Sequence, residues 1–340
     1  MSRAEGVNIL EIRGLVVRFG TGRKSLVAVD GIDLDVPRGG ILGLVGESGS
    51  GKSTVARAVV GLARTAGGQI LLNGTDLTAG AAERKASRRT VQMIFQDPYA
   101  SLNPRMRVSA IIAEALRMRG TGTDRIPGLL EEVGLDAATA SRYPRELSGG
   151  QRQRVAIARA LAVEPELIIA DEITSSLDVS VQAQVLNLLR DIQRRSSLSV
   201  LFIAHNVAVV RYLSDAVAVM HMGRIVEAAP AGDFFAAPQH PYSRTLLDAV
   251  PQMADVAGAA GASAWTPVGE PSDPHEPPAG CRFHPRCPVG PAVAEDRDIC
   301  RTLDPGADAA TRPHRAACHF AGMLPAPPPA AISVTPGQER

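Results

Sequence analysis

Over roughly the first 250 residues, short apolar runs alternate with longer stretches in which apolar residues recur every three or four positions. The runs at 41–45, 91–95, 167–170, 200–204 and 217–220 have the length and composition of buried strands. Between them, 52–62 and 151–161 read as helices, and Val181, Val185, Leu188, Leu189 and Ile192 fall on one helical face. This alternation predicts an α/β fold, a largely parallel sheet with helices on its faces.

The pattern stops after Pro251. Residues 254–264 are mostly Ala and Gly, a linker composition, and eight prolines then crowd the stretch from Pro267 to Pro291. That density precludes long helices and central strands, and predicts a small loop-rich unit held by something other than an apolar core. The tail carries Pro325, Pro327, Pro328, Pro329 and Pro336 and reads as disordered. The expected division is a main domain at 8–253, a linker at 254–266, a small unit at 267–320 and a tail at 321–340.

Composition narrows the function classes. With 45% hydrophobic and 21% charged residues and a mean hydropathy of +0.03, the 340-residue chain can bury a sizeable core. Its net charge of +1 lacks the diffuse positive field of a protein held to nucleic acid through phosphates, so no nucleic-acid partner is expected. No run of eighteen apolar residues occurs, and the N-terminus lacks the apolar core of a secretory signal. The expected compartment is therefore the cytosol, where the four cysteines are not expected to form structural disulfides.

Gly46-Glu47-Ser48-Gly49-Ser50-Gly51-Lys52-Ser53 matches G-x-x-x-x-G-K-[ST] between an apolar strand and a helix, the context that motif requires. Glycines let the backbone wrap around phosphates with its N–H groups inward, and the helix N-terminus adds partial positive charge. Lys52 would bridge the β- and γ-phosphates and the Ser53 hydroxyl would ligate Mg²⁺. A second apolar run ends in Asp171-Glu172. Alone, that ending is more often a solvated strand end. Paired with a phosphate loop, it offers one acid for Mg²⁺ and one to face an attacking water.

Leu147-Ser148-Gly149-Gly150-Gln151, at the start of the helical stretch 151–161, is the signature of ATP-binding cassette (ABC) ATPases, and the chain resembles that family from about residue 8 to 250. Other landmarks fall in order: Phe19 where an aromatic stacks on adenine, Gln96 as in the Q-loop, Ser175-Ser176-Leu177-Asp178 as in the D-loop, and His205 as in the switch histidine. The resemblance implies a P-loop cassette with a small antiparallel β part and a helical subdomain at about 97–160. It implies nucleotide contacts from Gly46 through Thr54, and Mg²⁺ held by Ser53, Gln96 and Asp171. Glu172 is implied as general base, with His205 and Gln96 completing the catalytic set. Two cassettes would pair head to tail, bringing Ser148, Gly149, Gly150 and Gln151 of one, and its Asp178, to the nucleotide of the other.

The segments Gln96-Asp97-Pro98-Tyr99-Ala100-Ser101-Leu102-Asn103-Pro104-Arg105-Met106, Asp178-Val179-Ser180-Val181-Gln182-Ala183-Gln184 and His240-Pro241-Tyr242 are similar to ATPases of peptide and nickel importers. Gln151-Arg152-Gln153-Arg154 favours the second, F-type subunit of such systems. The implied partners are a different ATPase subunit, two membrane permeases and an extracytoplasmic substrate-binding protein, with this chain peripheral on the cytoplasmic face. Peptides lead as substrate; nickel, glutathione and oligosaccharides are alternatives. Ile173 departs from the family, which usually has Pro after the Asp-Glu pair. A soluble ABC protein acting on DNA or ribosomes is disfavoured by the single cassette, the short insert between Gly46 and Leu147, and the neutral charge. An export ATPase is the remaining rival.

Cys281, Cys287, Cys300 and Cys318 have the spacing C-x5-C-x12-C-x17-C. Four thiolates on a proline-rich unit suggest a metal that supplies the organisation a thin core cannot. The short pairs of zinc ribbons are missing, iron–sulfur clusters accept wider spacings, and zinc or four free thiols remain open. The segment also resembles the C-terminal region of peptide-importer ATPases, which implies a [4Fe-4S] cluster. Because the cassette has its own core, nucleotide binding at Lys52 is expected to be independent of these cysteines.

Overall fold

The computed structural model describes residues 8–20, 22, 25–175, 177–249, 265–306 and 313–323. Nearly all of the expected linker, most of the expected tail, and Ser176 lie outside them.

In chain order the elements are β1 (Asn8–Phe19), β2 (Leu26–Pro37), β3 (Ile41–Val45), α1 (Lys52–Val59), β4 (Gly67–Leu72), β5 (Thr75–Asp76), α2 (Ala81–Ser87) and β6 (Val91–Ile94). There follow α3 (Pro98–Ser101), α4 (Val108–Arg119), α5 (Ile126–Glu132), α6 (Gly149–Leu161), β7 (Leu167–Asp171), α7 (Val179–Ser196), β8 (Ser199–Ala204) and α8 (Val207–Leu213). The last are β9 (Ala216–His221), β10 (Arg224–Pro230), α9 (Ala231–Ala236), α10 (Pro241–Asp248), α11 (Ile299–Thr302) and β11 (Arg315–Ala316).

The main sheet runs β11-β10-β9-β3-β8-β7-β6. Its five strands β9-β3-β8-β7-β6 are parallel, and β10 and β11 add antiparallel at one edge. Parallel strands covered on both faces must send alternate apolar side chains to opposite cores. In β8, Val200 and Phe202 enter one core while Leu201 and Ile203 enter the other. The first core packs against α4 to α10; the second lies under an antiparallel sheet of order β2-β1-β4-β5.

The expected helix over 52–62 ends earlier, at Val59. Gly61 takes a left-handed φ of 76° and turns the chain, leaving Leu62 64% exposed. Among the described residues, no helix is long and apolar enough to cross a membrane. The cysteine stretch packs directly on the cassette: Phe283 and Cys287 belong to the first core, and β11 pairs with β10.

Candidate functional site

The parallel strands deliver chemistry at their C-terminal ends, where an open α/β sheet binds ligands. β3 leads into the glycine loop and α1, β6 into Gln96, β7 into Asp171 and Glu172, and β8 into His205. The loop needs glycine for want of space. A Cβ on Gly46 would fall 2.1 Å from the Met220 carbonyl oxygen, and one on Gly51, at φ 109°, 2.3 Å from that of Ala28. Ser48 and Gly49 form its exposed tip.

Lys52 opens α1 and is buried, with Nζ donating to the carbonyls of Gly46 and Glu47 at 2.9 Å each. Burial lowers its pKa, opposed by the nearby charges of Glu172, Asp171 and Glu47. Ser53 Oγ donates to Asp171 Oδ1 at 2.9 Å. Burial raises the pKa of Asp171, and the neighbouring Glu172 charge adds to the rise against the Ser53 hydrogen bond. A buried carboxylate of this kind is one that a cation would relieve. Thr54 continues the helix start, its N–H donating to the Gly51 carbonyl at 3.0 Å.

Gln96 Nε2 donates to Glu172 Oε2 at 2.9 Å, and His205 Nδ1 lies 3.9 Å from the same oxygen. Glu172 holds a left-handed φ of 48°, uncommon for a residue with a side chain. Its N–H donates to the Ile203 carbonyl at 3.0 Å, which ties this strained position to β8. Ile173, the departure from the family's usual proline, is 1% exposed and fills the core beside the pair.

Phe19 ends β1 and is 44% exposed. The Leu147-to-Gln151 stretch lies at the start of α6. Ser148 caps it, accepting from the Gln151 N–H at 3.2 Å while the Gln151 side chain accepts from the Ser148 N–H at 3.0 Å. A Cβ on Gly150 would fall 2.4 Å from Val181 Cγ1, so the second glycine lets α6 pack against α7. Asp178 caps α7, accepting from the Val181 N–H at 2.9 Å, and this hydrogen bond lowers its pKa. Among the described residues, no hydrogen bond joins Ser148, Gly149, Gly150 or Asp178 to the glycine loop of the same chain.

The four cysteines are free thiols that line a single small cavity, together with Phe283, Val289 and Phe320. Burial raises all four pKa values, that of Cys281 to about 11 and those of Cys287 and Cys318 to about 12, and neighbouring thiols raise these three further. Among the described residues, no three His, Cys, Asp or Glu side chains are grouped so as to hold a metal ion. The iron–sulfur and zinc expectations thus gain no support from a ready-made ligand cage, because the thiols surround an apolar space.

A family model described as ABC transporter matches residues 29–175, and one described as Oligopeptide/dipeptide transporter, C-terminal region, matches 226–292. A Brucella ovis protein that carries the name peptide import ATP-binding protein is 46% identical over 303 residues, covering 87% of this chain and 93% of its own. A Brucella abortus protein of the same naming is 50% identical over 291 residues, 84% of each chain. The chain belongs to the ABC transporter ATP-binding family. Among solved structures, cbiO1 from Clostridium perfringens, part of the ABC transporter complex cbiONQ, matches with a TM-score of 0.61 at 26% identity, covering 68% of this chain and 92% of that one. A bacterial ABC transporter cassette, MJ0796, solved as a dimer, matches at 0.59 and 24%, covering 65% and 98%, and supports the fold.

As an ABC ATPase, the chain uses ATP, with Mg²⁺ expected, to drive transport. The contacts of its nucleotide loop reach further than the sequence motifs. Tyr242 Oη accepts from the Glu47 N–H at 2.8 Å, and Arg286 pairs with the Glu47 carboxylate at 3.1 Å. Tyr242 was visible only as part of His240-Pro241-Tyr242. Arg286 carried no signal beyond its place between two cysteines. The expected independence of nucleotide loop and cysteine unit therefore does not match the contacts, which join them directly.

Proposed function

We propose that this chain is the ATP-hydrolysing subunit of a peptide importer, seated on the cytoplasmic face of the membrane. It would pair with a second ATPase subunit, beneath two permeases served by an extracytoplasmic substrate-binding protein. One observation carries the ATPase reading: the ends of four parallel strands bring Lys52, Ser53–Asp171 and Gln96–Glu172–His205 into one site. The names of the relatives and the matched C-terminal region supply the peptide.

In this reading the loop N–H groups from Gly46 to Thr54 and the Lys52 ammonium bind the phosphates, and Phe19 packs on the adenine. Ser53, Asp171 and Gln96 would hold Mg²⁺, which neutralises phosphate charge. Glu172 accepts a proton from water as the water oxygen bonds to the γ-phosphorus and the bond to the β–γ bridging oxygen breaks. His205 orients the γ-phosphate. Ser148 with Gly149, Gly150 and Gln151, and Asp178, act on the partner subunit's nucleotide. Reconstitution with both permeases tests the reading: peptide-loaded binding protein should stimulate ATP turnover. Stimulation by nickel or glutathione in place of peptide would reassign the substrate.

The permease contact is supported by an apolar groove of about 350 Å³ beside the start of the Q-loop. Val60, Leu62, Met93, Phe95 and Met118 line it, with Arg88 and Glu114 at hand. Leu62 and Met118 are 64% and 40% exposed, which suits an apolar helix from a partner.

For the cysteines, the proposed centre is a [4Fe-4S] cluster, a reading that rests on the four-thiol donor set and the matched C-terminal region and not on the arrangement of the thiols. Burial raises their pKa values, so the thiolates such a centre needs would form beside its positive charge. Cys281, Cys287, Cys300 and Cys318 would hold it, and it would crosslink the loops of the unit.

A further inference from the structure

Three residues between Cys281 and Cys287 connect the cysteine unit to the nucleotide loop, one by direct contact and two through a neighbour of the loop. Arg286 Nη1 donates to both Glu47 carboxylate oxygens, at 3.1 and 3.2 Å. Phe283, 1% exposed, packs its ring against Tyr242 at a centroid distance of 5.2 Å, and Tyr242 in turn accepts from the Glu47 N–H. Arg282 donates to the Met222 carbonyl and to Asp30. The next residue, Gly223, donates its N–H to the Ser50 carbonyl at 2.9 Å.

These contacts end on the phosphate-binding lysine. The Glu47 carbonyl is one of the two backbone acceptors, at 2.9 Å each, that aim Lys52 Nζ. The same residue is fixed at its N–H by Tyr242 and at its carboxylate by Arg286. The tip of the loop is open among the described residues: a Cβ on Gly49 would meet nothing within 4 Å. The order of the loop is thus set at its base, and part of that base is supplied by the cysteine unit.

The geometry points to Arg286 as a positioning residue for the nucleotide loop, so that the order of residues 281–287 sets ATP affinity in the same chain. This rests on the reading that residues 46–53 hold the nucleotide phosphates, and is independent of which centre the cysteines carry.

The test is titration of the full-length chain with a fluorescent ATP analogue. The Arg286 and Glu47 side chains are 13% and 41% exposed, so the pair is screened on one side. Arg286→Ala should weaken binding roughly three- to fivefold, the upper part of the range for ion pairs at the edge of solvent. Glu47→Gln should weaken it equally, and the double variant no further, because all three remove one interaction. Arg286→Lys should recover part of the affinity, and in turnover assays the loss should fall on the ATP KM rather than on kcat. Cys287→Ser should weaken binding as well, and by less in an Arg286→Ala background than in the wild type. Wild-type affinity in Arg286→Ala, beside a Lys52→Ala control that no longer binds, overturns the proposal, as do additive losses in the double variant. A wild-type chain that binds no ATP overturns the nucleotide reading itself.

Discussion

Gln96 donates to Glu172 across 2.9 Å, joining the residues that follow two neighbouring strands, β6 and β7. His205 faces the same carboxylate oxygen from the end of β8. The Gln96 hydrogen bond orients the carboxylate, with the imidazole 3.9 Å away, an arrangement that suits the general-base role proposed for Glu172.

Glu172→Gln keeps that shape and removes the proposed base. Turnover should fall roughly 10²- to 10⁴-fold, the usual cost of losing a positioned base, while ATP binding persists because Lys52, Ser53 and Asp171 are untouched. The expected signature is a cassette dimer that forms with ATP and does not come apart. Wild-type turnover of this variant in the assembled transporter would remove Glu172 from its role.

A second prediction concerns coupling. The Arg152 guanidinium lies 3.9 Å from the centroid of the Tyr99 ring and also donates to the Tyr99 hydroxyl at 3.0 Å, linking the segment after Gln96 to α6. Tyr99 is 54% exposed, so little core packing depends on it. Tyr99→Asp should therefore damage transport and assembly with the permeases more than ATP binding. Equal loss of nucleotide affinity would assign the segment to the nucleotide pocket instead.

The parallel half of the fold was legible because both of its faces are buried, so each strand reads as one continuous apolar run. β3 falls at the expected residues, and β7, β8 and β9 within one residue or two. β1 and β2 are not legible in that way. In β2, Ile32, Leu34 and Val36 point inward while Asp33 and Asp35 alternate with them, a period-two signal with no apolar run. Residues that the structure brings together at the strand ends were legible where motif and strand end coincide, as at Lys52 and Glu172. Arg286 was not, because its contact is with Glu47, a residue 239 positions away that only the fold brings near.

The seam between cassette and cysteine unit should be sensitive to acid. His221 and His240 are 4% and 1% exposed there, and burial holds their pKa values near 4 and 3, below the ordinary 6.5. For His221, Glu47 opposes this shift and the Arg286 and Arg282 charges add to it; for His240, His221 adds to it. Above 6.5 both states are neutral and nothing changes with pH. As pH falls from 6.5 toward 4, the unfolded chain takes up protons that the folded chain refuses, and stability is lost at up to about 1.4 kcal/mol per unit per histidine. His221→Gln should flatten the fall of the thermal midpoint between pH 7 and 5; an unchanged slope would exclude His221 as its source.

The last prediction concerns the cysteines. Prolines and loops dominate the stretch around them, and Cys281 is drawn to Cys300 by a 2.9 Å bond from the Cys281 N–H to the Cys300 carbonyl. Gly280 makes that approach possible, since a Cβ there would fall 2.5 Å from the same oxygen. Four thiols, buried at Cys287 and Cys300 and half-buried at Cys281 and Cys318, all with raised pKa values, gain little from one another, so the order of the unit should depend on what they bind. Protein purified without oxygen should be brown, with broad absorption near ~400 nm and about four irons per chain, as for a four-thiolate cubane. Cys300→Ser should lose the colour and open residues 267–320 to proteases. Through Arg286 and Glu47 it should also weaken ATP binding several-fold without abolishing it, because Lys52 and Ser53 belong to the cassette's own strand and helix. Colourless protein with one tightly bound zinc would keep the four-cysteine site and exclude the cluster. Colourless protein without metal, yet with 267–320 resistant to proteases, would show that the unit is held by its packing on Tyr242 and His221 alone.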